Sequence, residues 1–275
     1  MLSKECWPSL ALTAFQVAAV GACAGLVAGC DVNIQNGKAS VGIMSAQAHD
    51  EWTHRYQLAP GGRVEVINVN GPVRLASGEA SSVEVHATVT TKALTEAGAK
   101  EILARGHIQE QVEPARIRVE TISPRGVRGS FEVRLEVTVP PDSQSDVSVT
   151  NGSVNADGLS GGLKVVAVNG NVELTKMSGA LDTVVANGSL AVDLARVTAP
   201  VRLELTDGRL SLALPAASKA NLSASIVNGA LDVSGLSVEG VTGRRVRSVE
   251  AALNGGGPAV ELRATNGRLS IEGRP

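Results

Sequence analysis

The chain has 275 residues, of which 43% are hydrophobic but only 2% are aromatic. It is long enough for one large domain or two small ones, and its core must be built from Val, Leu, Ile and Ala. A formal net charge of −2 gives no electrostatic basis for binding a polyanion, so we expect no nucleic acid partner.

The first 30 residues have the organisation of a bacterial export signal. Residues 9–29 carry no charge and end in small residues, as a cleaved signal requires. The three cysteines of the chain all lie in this part: Cys6, Cys23 and Cys30. The sequence Leu26-Val27-Ala28-Gly29-Cys30 resembles the lipobox of bacterial lipoproteins, which implies a signal peptide over residues 1–29 and several acyl chains, palmitate among them, on Cys30.

An uncleaved membrane helix is the alternative, since about 20 apolar residues can span a bilayer. Both alternatives hold the rest of the chain outside the cytoplasm. We therefore expect a bacterial cell-envelope protein that faces the periplasm or the exterior, with a membrane as its partner through the lipid on Cys30. The sequence leaves open which membrane this is.

The rest of the chain divides by hydrophobic pattern into three parts. Residues 30–52 show no sustained period and predict a tether, whereas residues 53–141 predict a β-rich cap with one helix. Pro140 and Pro141 close the last strand of this cap, because proline interrupts a sheet ladder. Residues 142–275 form a repeat region.

One helix is predicted inside the cap. Residues 92–105 are rich in Ala, Leu, Glu and Lys, which are good helix formers. Leu94, Gly98 and Ile102 would share one face, and Gly106 is a plausible end. Strong strands flank this segment, with alternating apolar residues over 83–89 and 131–139.

The repeat consists of Asn-Gly or Asp-Gly steps, each followed by alternating apolar residues. The steps begin at Asn70, Asn151, Asn169, Asn187, Asp207, Asn228 and Asn266. From Asn151 onward they are 18 to 21 residues apart, except for the last gap of 38. Counted from the Asn or Asp, positions plus three and plus five are apolar in every downstream copy. Positions minus four and minus two are apolar too, with Thr183 as the exception.

Two architectures fit this pattern. In an antiparallel β meander, each step is a hairpin turn. In a β-solenoid, each step is a corner, and each coil of about 18 to 21 residues stacks on the last at about 4.8 Å. We favour an all-β solenoid, because stacking aligns identical residues and allows a hydrogen-bonded ladder of the corner Asn and Asp side chains. Second corners are predicted at Ser160-Gly161 and Ser178-Gly179.

A family resemblance supports the solenoid. The Val-Asn-Gly-x-Val/Leu-x-Val/Leu units, the preceding Val-Thr-Val-Pro-Pro strand and the closing Ala-Thr-Asn-Gly-Arg-Leu-Ser-Ile segment are similar to those of the bacterial β-strand-repeat putative adhesin family, a domain of unknown function. The resemblance covers roughly residues 60–275 and implies a β-solenoid-like envelope protein without established catalytic residues.

Few residues indicate a ligand or a reaction. Arg244, Arg245 and Arg247 interrupt the repeat and form either a solvated loop or a site for anionic lipid head groups or polysaccharide, since guanidinium binds phosphate in a bidentate way. The histidines have no metal-ligand spacing, and no Gly-x-Ser-x-Gly nucleophile elbow occurs. We expect no metal, no cofactor and no catalytic residues.

The sequence therefore predicts a lipid-anchored, non-enzymatic envelope protein that acts as an adhesin-like or scaffold module through a solenoid surface, with an envelope protein or a glycan as partner. Two alternatives stay open. One is an envelope carbohydrate-active enzyme on a β-helix, which a cluster of carboxylates on one face would support. The other is a sensory or regulatory partner of another envelope protein.

Overall fold

The computed structural model of the protein describes residues 30–35, 38–43, 46–238 and 247–275, with side chains from residue 46 onward. The elements are β1 (Cys30–Gln35), β2 (Lys38–Ile43), β3 (Ala46–Gln57), β4 (Arg63–Asn70), β5 (Val73–Ser77), β6 (Ser82–Ala93), α1 (Glu96–Arg105), β7 (His107–Glu113), β8 (Arg116–Ile122), β9 (Ser130–Val139), β10 (Gln144–Asn151), β11 (Val154–Asp157), β12 (Leu163–Met177), β13 (Leu181–Leu194), β14 (Val201–Pro215), β15 (Ala220–Ser234), β16 (Ser248–Leu253) and β17 (Ala259–Arg274).

The repeats stack as parallel coils. Asn169 in β12 pairs with Asn187 in β13, and Asn187 pairs with Asp207 in β14. A meander would require antiparallel pairs within each repeat, so the β-solenoid prediction is confirmed. β3 to β17 belong to one open sheet of 15 strands, while β1 and β2 form a separate antiparallel pair.

Each coil bends at its Asn-Gly or Asp-Gly step. Ala167 and Val172 lie on the two sides of this step and are both buried, although residues an odd number apart point to opposite faces of a flat strand. The chain must therefore turn between them. We call the part of each coil before the step the first arm and the part after it the second arm. The core lies between the two arms.

The order of coils along the stack differs from their order in the sequence. β17 lies between β14 and β15, pairing in parallel with both, so the expectation that each coil stacks on the last is wrong at this end. β16 runs antiparallel along the outer edge of β15 over Ala220–Ser225 and reverses the chain. The same inward positions are apolar in nearly every coil, so the repeat pattern is compatible with either order of coils.

The stack also continues into the segment that we assigned to the cap. β4 and β5 form a coil that pairs in parallel with β10 and β11, and β8 and β9 form a further one beyond it. β7 follows antiparallel on β8, and β6 and β3 follow antiparallel on β9. At this end of the stack, both arms therefore terminate in antiparallel strands.

Two boundaries differ from the prediction. β3 already begins at Ala46 and pairs with β6, so part of the segment expected to be a tether is strand. The helix begins after the N-cap Thr95, because Lys92 and Ala93 complete β6. Its buried residues are Ala99 and Ile102, whereas Leu94 is 69% exposed. Gly106 closes the helix as expected, donating its N–H to the carbonyl of Ile102.

Candidate interaction surface

The corner residues form a column of side-chain hydrogen bonds, which we call the corner ladder. Each amide Nδ2 donates to the Oδ1 of the next corner: Asn151 to Asn70 at 2.9 Å, Asn169 to Asn151 at 3.0 Å, Asn187 to Asn169 at 3.1 Å, Asn266 to Asp207 at 2.6 Å and Asn228 to Asn266 at 3.0 Å. These bonds satisfy the polar groups of the corner side chains within the protein. The corner ladder is therefore a structural element that borders the two outer faces.

The second corners also stack. The N–H groups of Ser160 and Gly161 both donate to the carbonyl of Pro141, and Ser178 N–H donates to the carbonyl of Leu159. A Cβ on Gly179 would lie 1.7 Å from the carbonyl oxygen of Gly161, so the coils approach here too closely for a side chain. The first arm is thus held at one edge by the side-chain bonds of the corner ladder and at the other by backbone contacts.

Between the two corners, the outer side of the first arm is a flat surface that we call the first-arm face. In the six coils from β4 to β17, it consists of the side chains five, three and one positions before the corner Asn or Asp, because the even positions point into the core; β15 continues these rows with Ser223, Ser225 and Val227. Strand pairing places residues of equal position in straight rows across β4, β10, β12, β13, β14 and β17. The spacing between neighbours in a row is about 4.8 Å.

The row at minus five carries charges of both signs, which alternate from Asp146 to Glu261. It reads Glu65, Asp146, Lys164, Asp182, Arg202 and Glu261 along the stack. A groove of about 440 Å³ follows this row, and its floor is formed by small residues, namely Gly162, Ala180, Pro200 and Ala259. The nearly balanced charges give the groove no preference for a polyanion or a polycation.

Several of these charges have partners within the chain. Arg202 donates to Glu204 at 2.7 Å, and this hydrogen bond, followed by the charge of Glu204, raises the pKa of Arg202. Asp146 contacts Arg63 at 3.2 Å. Within the described residues, neither Lys164 nor Asp182 forms an ion pair, so their charges face solvent.

The rows at minus three and minus one carry an apolar patch. It consists of Ile67, Val69, Val166, Val168, Val184 and Ala186, with Ser148 and Thr150 of β10 between them. Val166 is 36% exposed and Val168 is 41% exposed. Apolar residues beside a charged row give the polar and apolar mixture of a protein interface.

The outer side of the second arm, the second-arm face, is different. A depression of about 300 Å³ there is lined by Ala191, Ser211, Ala213 and Ser270 and by four acids, Glu173, Asp193, Asp232 and Glu272. Asp193 contacts Arg274, and Asp232 lies 4.0 Å from Arg268. The four acids come from four different coils, and the described residues contain no group of three His, Cys, Asp or Glu side chains placed to hold a metal ion.

A polar cluster joins the two arms at the cap end. Tyr56 of β3 donates its hydroxyl hydrogen to Glu110 of β7, and His54 Nδ1 lies 3.1 Å from the same carboxylate. Burial, then the hydrogen bond to Glu110, raises the pKa of Tyr56, and the hydrogen bond from Tyr56 lowers the pKa of Glu110. Trp52 stacks on His54 with ring centroids 4.3 Å apart. We call Tyr56, Glu110 and His54 the clasp.

The other predicted site residues lie apart from these surfaces or outside the described residues. Arg244 and Arg245 are outside them, whereas Arg247 is exposed and accepts a hydrogen bond from Ile226 N–H through its carbonyl. Cys30 begins β1. No helix within the described part of the chain has the length and apolar character needed to cross a bilayer.

The first-arm face escapes sequence reasoning because its residues are scattered over six coils. A single repeat shows one or two charges and at most two apolar residues at these outward positions, which is ordinary for a strand. Writing the repeats in register reveals the alternating row of Lys164, Asp182 and Arg202. That signal was present in the Asn-Gly alignment, but β17 takes its place in the row only through the altered coil order.

The family predicted from the Asn-Gly units is confirmed by a family model. Residues 144–272 match Toastrack DUF4097. No curated protein matches the chain.

Solved structures with similar chains include adhesin-like proteins. A putative cell adhesion protein from Clostridium sporogenes has 11% identity and a TM-score of 0.45, with 82% of this chain and 100% of that chain covered. A putative adhesin from Bacteroides fragilis has 12% identity and a TM-score of 0.34 over 82% and 97%. A putative lipid binding protein from Parabacteroides distasonis has 8% identity and a TM-score of 0.30 over 81% and 96%.

Proposed function

We propose that the chain, whose residues 144–272 match Toastrack DUF4097, is a lipid-anchored, non-enzymatic protein of the bacterial envelope that binds another protein through the first-arm face. The observation that carries this proposal is the exposed pair Val166 and Val168 beside an alternating row of charges. An adhesin-like or scaffold role follows from such a surface held on a rigid stack.

The chemistry of the first-arm face favours a protein over a glycan. Sugar rings bind best to aromatic side chains, and the outward positions of the first arm from β10 to β17 hold aliphatic, charged, Ser and Thr residues instead. A rigid sheet also favours binding, because its side chains are already ordered and lose little conformational entropy on association. An extended surface that a partner can cover along several coils suits a scaffold.

Attachment to a membrane is the second part of the proposal. The lipobox-like sequence ending in Gly29-Cys30 would place the mature N-terminus 16 residues before β3, which begins at Ala46. Cys30→Ala should move the protein from the membrane fraction to the soluble fraction and abolish metabolic labelling with palmitate. If the variant stays membrane-bound and labelled, the lipoprotein assignment is wrong.

Binding is tested by crosslinking in intact cells. A photoreactive amino acid placed at Val168 should give a defined crosslinked product, because this residue lies in the apolar patch. The matched control is the same amino acid at Ala191, which lies on the second-arm face. A product from position 191 but none from position 168 would assign the interface to the other face and overturn the proposal.

The acid-lined depression on the second-arm face supports a second candidate, an envelope carbohydrate-active enzyme. Glycoside hydrolysis needs two carboxyl groups about 5 to 9.5 Å apart, and Asp193 and Glu272 lie two coils apart along the stack, or about 10 Å. The test is release of reducing sugar from envelope polysaccharide by the purified protein. Activity that is lost in Glu272→Gln and kept in Glu261→Gln would replace the binding proposal with the enzymatic one.

A further inference from the structure

We propose that the partner on the first-arm face is a second copy of this chain, docked face to face about a two-fold axis that runs along the strands between β12 and β13. This inference rests on the proposed function, since it names the partner of the same surface. Rotation about such an axis reverses the order of coils but keeps each row opposite the same row. Whether two copies are complementary can therefore be judged by comparing each row with its own reverse.

The charged row is complementary to its own reverse. With the axis between β12 and β13, Lys164 faces Asp182 of the second copy, and each such contact occurs twice. One coil further out, Asp146 faces Arg202 of the second copy. Opposite charges thus meet at four central positions, as an isologous interface requires.

The outermost pair in this row has like charges. Glu65 faces Glu261 of the second copy, but two arginines neutralise Glu65 within its own chain. Arg116 donates to it at 2.8 Å, Arg118 lies 3.6 Å away, and the hydrogen bond from Arg116 is the main cause of its lowered pKa. Arg118 also donates to Glu120 at 2.8 Å, so the local charge that meets Glu261 is close to neutral.

The centre of the apolar patch also meets itself, whereas Ile67 and Val69 at its edge face Arg263 and Thr265 of the second copy. At minus three, Val166 faces Val184 of the second copy, and at minus one, Val168 faces Ala186 of the second copy. Ser148 meets Glu204 of the second copy and can donate a hydrogen bond to its carboxylate. Val166 and Val168 therefore lie at the centre of the contact, where burial stabilises most, whereas Val227 of β15, which is 59% exposed, lies outside the six paired coils.

The groove floor allows the two faces to come close. At minus seven, Gly162 faces Ala180 of the second copy, so no bulky side chain separates the backbones there. The six coils from β4 to β17 span about 29 Å and seven residues span about 23 Å. This gives about 650 Å² per copy and about 1,300 Å² in total, within the lower range of specific interfaces.

Such an interface should give a weak dimer in solution. A shared membrane raises the effective concentration of two tethered copies, which favours the dimer without new contacts. The dimer would be scarce in dilute solution and abundant at the membrane.

Sedimentation equilibrium of residues 30–275 with Cys30→Ala, which retains every described element, tests the dimer. Arg202→Asp should raise the dimer Kd at least tenfold, because two aspartates then face each other at both copies of that position. Adding Asp146→Lys should bring the Kd back to within about threefold of the parent. Asp146 and Arg202 lie three coils apart in one chain, so this rescue can arise only between copies.

Arg209→Asp on the second-arm face is the matched control and should leave the Kd unchanged, while circular dichroism verifies that each variant is folded. A parent protein that stays monomeric at millimolar concentration, or a double variant that is not rescued, overturns the proposal. Failure here is separate from failure of the proposed function. A crosslink from position 168 to a different protein would keep the interface and exclude the second copy.

Discussion

Asp207 lies beside Asn187 in the corner column, and no hydrogen bond joins their side chains in the described structure, although both bond to their other neighbours. A carboxylate only accepts hydrogen bonds, so Asp207 cannot donate to the Oδ1 of Asn187 as an amide would. The corner ladder is therefore divided into two runs, one from Asn70 to Asn187 and one from Asp207 to Asn228.

Asp207→Asn should join the two runs. The new amide would donate to Asn187 while still accepting from Asn266, and we expect an increase in unfolding free energy of about 0.5–1 kcal/mol. Urea unfolding followed by circular dichroism measures it. The control is Asp207→Ala, which removes the acceptor of Asn266 and should destabilise the protein. A variant Asp207→Asn that is less stable than the parent would contradict a continuous ladder.

Asn169→Ala should destabilise the stack. Asn169 donates to Asn151 and accepts from Asn187, so its loss removes two hydrogen bonds and should lower the unfolding free energy by about 1–2 kcal/mol. Asn155→Ala, at an exposed outward position of the second arm, serves as control and should change stability by less than about 0.5 kcal/mol. Equal melting temperatures for Asn169→Ala and the parent would show that the ladder contributes nothing.

Gly188→Ala should be among the most damaging single changes. A Cβ at Gly188 would lie 1.9 Å from the carbonyl oxygen of Gly170, and its φ is +137°. We expect a loss of about 3 kcal/mol or more. Gly61→Ala separates backbone strain from steric overlap, because Gly61 has φ +67° but no atom within 4 Å of its Cβ position. Its cost should be about 1–2 kcal/mol. Similar melting temperatures for the two variants would mean that close stacking is unimportant.

Thr183→Val should stabilise the protein. Thr183 is fully buried, and its hydroxyl has no hydrogen-bond partner. The same inward position in the neighbouring coils holds Val165 and Leu203. Removing an unsatisfied buried hydroxyl while keeping the shape should add about 1 kcal/mol to the unfolding free energy. Thermal unfolding measures the change. A lower melting temperature would indicate that the hydroxyl is satisfied in solution.

The clasp should make stability depend on pH at both extremes. The pKa of Glu110 is lowered from 4.5 in the folded protein, so its contribution is present above that pH and is lost as the pH falls through the folded pKa. The pKa of Tyr56 is raised from 10.0, so its contribution is present below pH 10.0 and decreases as the pH rises above it.

Urea unfolding across the pH range, comparing the parent with Glu110→Gln, isolates this effect. Other carboxylates with lowered pKa values, such as Glu65 and Asp157, destabilise both proteins in acid equally. The difference in unfolding free energy between the parent and Glu110→Gln should therefore decrease below pH 4.5. A difference that stays constant with pH would show that the carboxylate of Glu110 makes no ionised contact with Tyr56.

Much of the coil was predictable from the sequence because side chains alternate along a strand and the Asn-Gly steps mark its bends. Val172 and Leu174 were expected to be buried and are buried, and Asn171 was expected to face water and is exposed. The helix start was misplaced because Lys92 and Ala93 suit a helix by composition, while pairing with β3 holds them in a strand.

The sequence by itself determined the period, the corner residues and the inward side chains, since these depend on neighbours along one chain. Only the tertiary structure decided which coils are adjacent. β17 fits between β14 and β15 because all coils carry the same apolar columns, and a pattern shared by every repeat cannot specify its neighbour. The row from Asp146 to Arg202 follows the order of the sequence, but Glu261, and with it the full candidate interface, joins that row only after the coil order is set.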